Sequence, residues 1–149
     1  MSSEMKHYAE RFGNALQLIR KRLLSNFTEL SGQGLTPPQF HILMIIHEKG
    51  PFKVTALAEL MGVKPSAITV MIDKLVSMGF VERKDQENDR RVVLLSITKE
   101  GVRMVNLLKA RSNEIIGGFF AACSVEEVES MVRTLEKITS GLTDQDTNA

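Results

Sequence analysis

Residues 64–80, KPSAITVMIDKLVSMGF, carry the pattern that decides the fold. Proline is favoured at the first turn of a helix, where its missing N–H costs nothing, so Lys64-Pro65-Ser66 predicts a helix start. Gly79 predicts its stop. Between them Ile68, Met71, Ile72, Leu75 and Met78 recur at three- and four-residue spacing and mark the face turned to the core. The opposite face carries Ser66, Thr69, Val70, Asp73, Lys74 and Ser77. That set holds no catalytic constellation, but it matches side chains that read base edges and hold phosphates. An ordinary solvated helix face is the alternative.

The residues that follow favour the first reading. Phe80 to Lys84 predicts a short strand, Asp85 to Asp89 a polar turn, and Arg90 to Ile97 a β-branched return strand with basic residues at both shoulders. On the other side, Val54 to Met61 predicts a helix with Leu57, Leu60 and Met61 inward. Two helices and a basic hairpin make a winged helix, whose second helix fits a major groove while the wing reaches the backbone or minor groove. Both helices start at a lysine, Lys53 and Lys64, where Ser, Thr or Asp is the usual cap. An uncapped helix N-terminus beside an ammonium group suits a phosphate. Thr55 is an alternative cap for the first of them.

Outside this lobe the chain is helical. Met5, Tyr8, Phe12, Ala15, Ile19, Leu23 and Phe27 form a stripe from Glu4 to about Leu30, widened by Leu16, Leu18 and Leu24. Apolar residues on more than one side of so long a helix point to a partner chain as well as a core, the alternative being a wide core face within one chain. Ser31 to Gly34 breaks it. Thr36 and Gln39 form a capping box with Pro37 in the first turn, and Leu35 with Phe40 a hydrophobic staple. The helix they open is expected to be buried nearly all round. Thr98 caps a long fifth helix, Gly117-Gly118 weakens it locally, and Ser124 with Glu127 opens a last helix through Leu142. Residues 143–149 are expected to fray.

Composition bounds the function. The chain has 149 residues, 43% hydrophobic and 25% charged, with a formal net charge of +1, which suits one globular domain. From Lys53 to Arg91 seven basic residues (Lys53, Lys64, Lys74, Arg83, Lys84, Arg90, Arg91) face six acidic ones (Glu59, Asp73, Glu82, Asp85, Glu87, Asp89). Affinity for DNA must therefore come from local placement. The single cysteine, Cys123, suits a reducing cytoplasm. Flanked by Phe119, Phe120, Ala121 and Ala122, it reads as a buried small hydrophobe rather than a redox sensor. No apolar run is long enough to span a bilayer, so a cytoplasmic location is expected. His41 and His47 lack partners at metal-ligand spacing. No catalytic residues, metal or cofactor are expected, for there is no phosphate loop, nucleophile elbow, CxxC or HExxH.

Leu57-Ala58-Glu59, Gly62-Val63, Ser66-Ala67-Ile68-Thr69, Asp73-Lys74-Leu75, Gly79-Phe80-Val81-Glu82-Arg83, Asp89-Arg90-Arg91 and Ile97-Thr98-Lys99-Glu100-Gly101 resemble, in order and spacing, the MarR family of bacterial winged-helix transcription regulators. Val70 stands where many members carry arginine, and Ile97-Thr98 replaces the usual Leu-Thr. The resemblance implies a mainly α fold of about six helices with a small β-wing. Residues 1–34 and 100–142 would be dimerisation helices around a DNA-binding lobe of 35–99. It implies a homodimer on pseudo-palindromic double-stranded DNA, probing it with Lys53, Lys64, Pro65, Ser66, Thr69, Val70, Lys74, Lys84, Arg90 and Arg91, with Asp89 bracing Arg91. It also implies a repressor relieved by a small apolar or aromatic effector, in a pocket lined by Arg11, Phe12, Leu16, His41 and Ile45. The peroxide-sensing branch carries its cysteine near the first helix, where this chain has none. The reading from a different class is a winged-helix module whose exposed helix docks on protein.

Overall fold

Leu35, Ile42, Leu43, Leu57, Ile68, Ile72, Leu75 and Leu95 are fully buried, so one core gathers every element of the lobe expected from the sequence. The structure is a computed structural model; it describes residues 1–25, 27, 31–86 and 89–146, with side chains at all of these except 86, 89–91 and 142–146. The helices are α1 (Ser3–Leu24), α2 (Pro37–Lys49), α3 (Val54–Met61), α4 (Pro65–Ser77), α5 (Lys99–Phe119) and α6 (Val125–Asp146), with a 3-10 turn at Phe120–Ala122. The strands β1 (Phe52–Lys53), β2 (Val81–Gln86) and β3 (Asp89–Ile97) form an antiparallel sheet in the order β1-β3-β2. This is a winged helix. The chain falls into two compact units, Met1–Ser112 and Asn113–Ala149.

Local signals set most boundaries. The Thr36 hydroxyl accepts from the Gln39 N–H and the Gln39 side chain accepts from the Thr36 N–H at 3.0 Å, so α2 starts on a complete capping box. The α2 helix buries Ile42, Leu43, Ile45 and Ile46 but leaves Pro38, His41, Glu48 and Lys49 exposed, so it keeps one open side instead of being buried nearly all round. At the end of α4, Gly79 takes φ +77° and lets the Phe80 N–H return 3.0 Å to the Leu75 carbonyl. That closes the helix with a left-handed turn that glycine adopts without strain. Ser124 and Glu127 exchange the same reciprocal bonds at 3.3 and 2.8 Å at the start of α6. The α5 helix continues through Gly117 and Gly118 to Phe119.

Further expectations need correction. Leu60, expected inward on α3, is 49% exposed, and α6 runs to Asp146, past Leu142. The first helix ends at Leu24, with Ser25 as its cap, rather than near Leu30. Phe27 leaves the stripe to enter the core, 7% exposed and 5.4 Å from the Phe40 ring; residues 26 and 28–30 lie outside the described residues. The wing strands run further than the polar composition suggests: Asp85 pairs with Val93, and after a bulge Gln86 pairs with Asp89. Backbone pairing is indifferent to side-chain polarity, and a bulge absorbs the register change. The turn between them, 87–88, lies outside the described residues. Finally, Phe52 and Lys53 pair with Leu95 and Leu94 as a third strand. Two residues have no periodicity for sequence reasoning to see.

Candidate nucleic-acid interface

The sequence separates capped from uncapped helices, and the structure keeps that division. Ser2 caps α1, Thr36 caps α2, Thr98 accepts from the Gly101 N–H at the start of α5, and Ser124 caps α6. The N-cap residues of α3 and α4 are Lys53 and Lys64, and neither makes a side-chain cap bond. Thr55 lies inside α3 and is not its cap. Both lysines are exposed, and neither has a carboxylate partner among the described residues. Each therefore sets an ammonium group at a helix N-terminus that no side chain of the described residues caps, a combination that attracts an anion.

The α4 helix presents the face expected of it. Ile68, Ile72 and Leu75 are buried, while Pro65, Ser66, Ala67, Thr69, Val70, Asp73, Lys74 and Ser77 are exposed. Lys74 is unpaired among the described residues, as Lys53 and Lys64 are. Lys84 differs, for its ammonium lies 2.7 Å from the Glu82 carboxylate on the same strand.

An ion pair that sequence reasoning missed ties helix to wing: the Arg83 guanidinium on β2 donates to the Asp73 carboxylate on α4. Both residues stood out in the sequence, one as a shoulder cation and one on the exposed helix face. Ten residues of separation across a tertiary turn gave no spacing rule to join them. A second junction lies at the base of the hairpin. The Thr98 hydroxyl donates to the Gly79 carbonyl at 2.6 Å, and the Thr98 N–H donates to the Phe80 carbonyl at 3.0 Å. Gly101 packs so closely here that a Cβ would lie 2.3 Å from the Phe80 oxygen. The end of α4, the wing and α5 therefore meet in one fixed junction.

Asp89, Arg90 and Arg91 lie on the β3 backbone, and their side chains lie outside the described residues. The five residues expected around an effector do not share one environment: Arg11, Phe12, Leu16 and His41 are exposed, and Ile45 is buried in the core. Arg11 sits 6.0 Å over the Tyr8 ring. Among the described residues, grooves lie elsewhere. One of about 370 Å³, between α3 and the start of α4, is bounded by Thr55, Glu59, Val63 and Lys64; the other, of about 530 Å³, runs along Phe120, Cys123, Val125, Val128 and Val132. Cys123 is thus exposed, contrary to its apolar sequence context. It occupies the extended residue between the 3-10 turn and the Ser124 cap, and the surrounding apolar side chains line an open groove instead of closing a core.

With this geometry in place, comparison with known proteins is decisive. The sequence model of the MarR family matches residues 35–93. The transcriptional repressor MdtR of Bacillus subtilis is 33% identical over 115 residues, covering 76% of this chain and 74% of MdtR. The chain belongs to the MarR family. Among solved structures, RV1404 of Mycobacterium tuberculosis superposes with a TM-score of 0.80 at 26% identity, covering 95% of each chain. A mutant MarR from E. coli, complexed with operator DNA, superposes with a TM-score of 0.64 at 25% identity, covering 86% of this chain and 93% of that one. The α3-α4 pair and the hairpin lie within the stretch the family model matches, apart from the last residues of β3.

Proposed function

We propose that this MarR-family, DNA-binding transcription regulator is a cytoplasmic repressor that grips a pseudo-palindromic duplex as a homodimer and releases it when a small apolar or aromatic ligand binds. In this reading α4 enters the major groove with Pro65, Ser66, Thr69 and Val70 toward the bases. Lys53, Lys64 and Lys74 hold phosphates, Lys84 and Arg90 lie along the backbone, and Arg91, braced by Asp89, enters the minor groove. The observation that carries it is the trio of exposed lysines at the two uncapped helices, unpaired among the described residues. That the E. coli relative is solved in complex with operator DNA supports the DNA-binding part of this reading.

Support for the homodimer comes from each unit taken by itself. The α1 helix buries none of its residues in the single chain, and Met5, Tyr8, Phe12, Leu16, Leu18 and Ile19 are 42–70% exposed. The α6 helix likewise leaves Met131, Val132 and Ile138 exposed. Burying a side chain of this size is worth about 1.5–3 kcal/mol, so open stripes on two long helices favour a second copy. Phe12 and Leu16 would then become walls of the effector site, with Arg11 or His41 to meet an anionic group and Ile45 as its floor. An effector acts by binding one dimer conformation better than the other.

The test is selection of binding sites from random duplexes, followed by affinity against salt. Three phosphate contacts per subunit give a log–log slope of about −5 for the dimer, from −0.9 per contact. Enrichment of no sequence, with affinity flat in salt, would refute the reading in favour of a protein-docking module. Titrating aromatic carboxylates against the complex, with parent and His41→Ala protein, tests the effector site.

A further inference from the structure

We infer that α4 reads thymine by contact with its C5-methyl group, with Val70 as the residue that sets this specificity. The inference rests on the reading that α4 enters the major groove. In helix-turn-helix docking the N-terminal residues of the recognition helix meet the base edges. Here those are Ser66, Ala67, Thr69 and Val70, all exposed. None is an arginine, asparagine or glutamine, the side chains that make two-pronged contacts with guanine or adenine.

The polar groups nearby are already engaged. The Thr69 hydroxyl donates to the Pro65 carbonyl at 2.9 Å, so its proton is held within the helix and a methyl remains for the groove. The Ser77 hydroxyl donates to the Lys74 carbonyl at 2.8 Å. The Asp73 carboxylate, which would otherwise accept from cytosine N4, is held by Arg83. Lys74, unpaired among the described residues, lies one turn beyond Val70, but an ammonium is a point charge suited to phosphate. What remains at the reading end is the Ser66 hydroxyl and a cluster of methyl groups from Ala67, Thr69 and Val70. Val70, at 70% exposure, projects the largest of them.

A lone exposed valine means little on a protein surface. A valine between two other methyl-bearing residues, on a face stripped of free hydrogen-bond donors apart from Ser66 and Lys74, is suited to one feature of the major groove. Thymine alone of the four bases presents a methyl there.

The experiment uses the full chain and a duplex obtained by selection from random sequence. Each thymine of the selected site is replaced in turn by deoxyuridine, which removes the methyl and leaves every hydrogen-bonding group. At one or two positions in each half-site the replacement is expected to weaken binding about fourfold, the cost of re-exposing one methyl-sized group. Val70→Ala, checked for an unchanged circular dichroism melt, should bind thymine and deoxyuridine duplexes within about twofold of each other at those positions. A selected site bound tightly but indifferent to deoxyuridine at every position would overturn the inference while leaving DNA binding intact. Retention of the full deoxyuridine effect in Val70→Ala would also overturn it. Failure to enrich any site would overturn the DNA-binding reading itself, and this inference with it.

Discussion

Gly101→Ala should loosen the junction on which helix and wing depend. The new Cβ would lie 2.3 Å from the Phe80 oxygen, 2.6 Å from Ile97 Cγ1 and 3.1 Å from the Phe80 carbonyl carbon. Two of these atoms are backbone, so no rotamer change relieves the clash, and the Phe80 carbonyl must retreat by roughly an ångström to reach ordinary contact. That carbonyl accepts from the Thr98 N–H at 3.0 Å, so the retreat strains a bond worth about 0.5–1.5 kcal/mol. Overpacking adds about 1–3 kcal/mol. Alanine's helix propensity returns at most about 1 kcal/mol. The net is a loss of about 1–3 kcal/mol, or roughly 2–12 °C in melting temperature for a chain of this size. Circular dichroism melts at one fixed protein concentration measure it, since association makes Tm concentration-dependent. Gly117→Ala is the internal control, because a Cβ there meets nothing within 4 Å in the chain and should stabilise slightly. If Gly101→Ala melted within a degree of the parent, the tight seating of α5 on Phe80 would be wrong.

Arg83→Gln should cost more DNA affinity than Asp73→Asn, because it leaves an unpaired carboxylate on the face proposed to meet DNA; stability should change by less than about 1 kcal/mol for either, as for other exposed pairs. Equal affinities, measured by fluorescence anisotropy on the selected duplex, would remove the pair from the interface. Lys64→Ser should raise stability by about 1 kcal/mol by supplying the missing cap, while weakening binding to all sequences and flattening the salt slope by about 1 per subunit. Ser124→Ala should destabilise α6 by about 1 kcal/mol through loss of its capping box. The backbone N–H of Glu126 and then the Ser124 hydroxyl hold the Glu126 carboxyl below its ordinary value. A lowered folded-state pKa adds stability above the ordinary carboxylate range and loses it as pH falls through the lowered value. Urea melts from neutral to acidic pH should therefore show a smaller acid-side loss in Ser124→Ala than in the parent.

What the sequence made legible was local. Pro65, Thr36 with Gln39, Ser124 with Glu127, and Gly79 each act within four residues, and each marks a boundary to within a residue or two. The buried stripe of α4 followed from periodicity alone. Features set by distant neighbours did not show. The α1 helix ends at Leu24 without a glycine or proline to announce it, Phe52-Lys53 becomes a strand only because Leu94 and Leu95 offer it hydrogen bonds, and Arg83 finds Asp73 only after the chain has turned. Cys123 was misjudged because apolar neighbours in sequence were taken for neighbours in a core. In the folded chain those residues line a groove that stays open.

The distribution of caps joins these strands of evidence. Four of the described helices start on a serine or threonine whose side chain accepts a backbone N–H, at a gain of about 1 kcal/mol each. The two that do not are α3 and α4, the helix-turn-helix pair, and both start on exposed lysine. Had caps been omitted by drift, the uncapped pair could have fallen anywhere among the six. In the proposed docking, a side-chain cap would occupy an N–H that an incoming phosphate needs, and it would displace the ammonium that draws the phosphate in. The same two positions cannot serve both ends, so the stability withheld at Lys53 and Lys64 is consistent with selection for binding over folding.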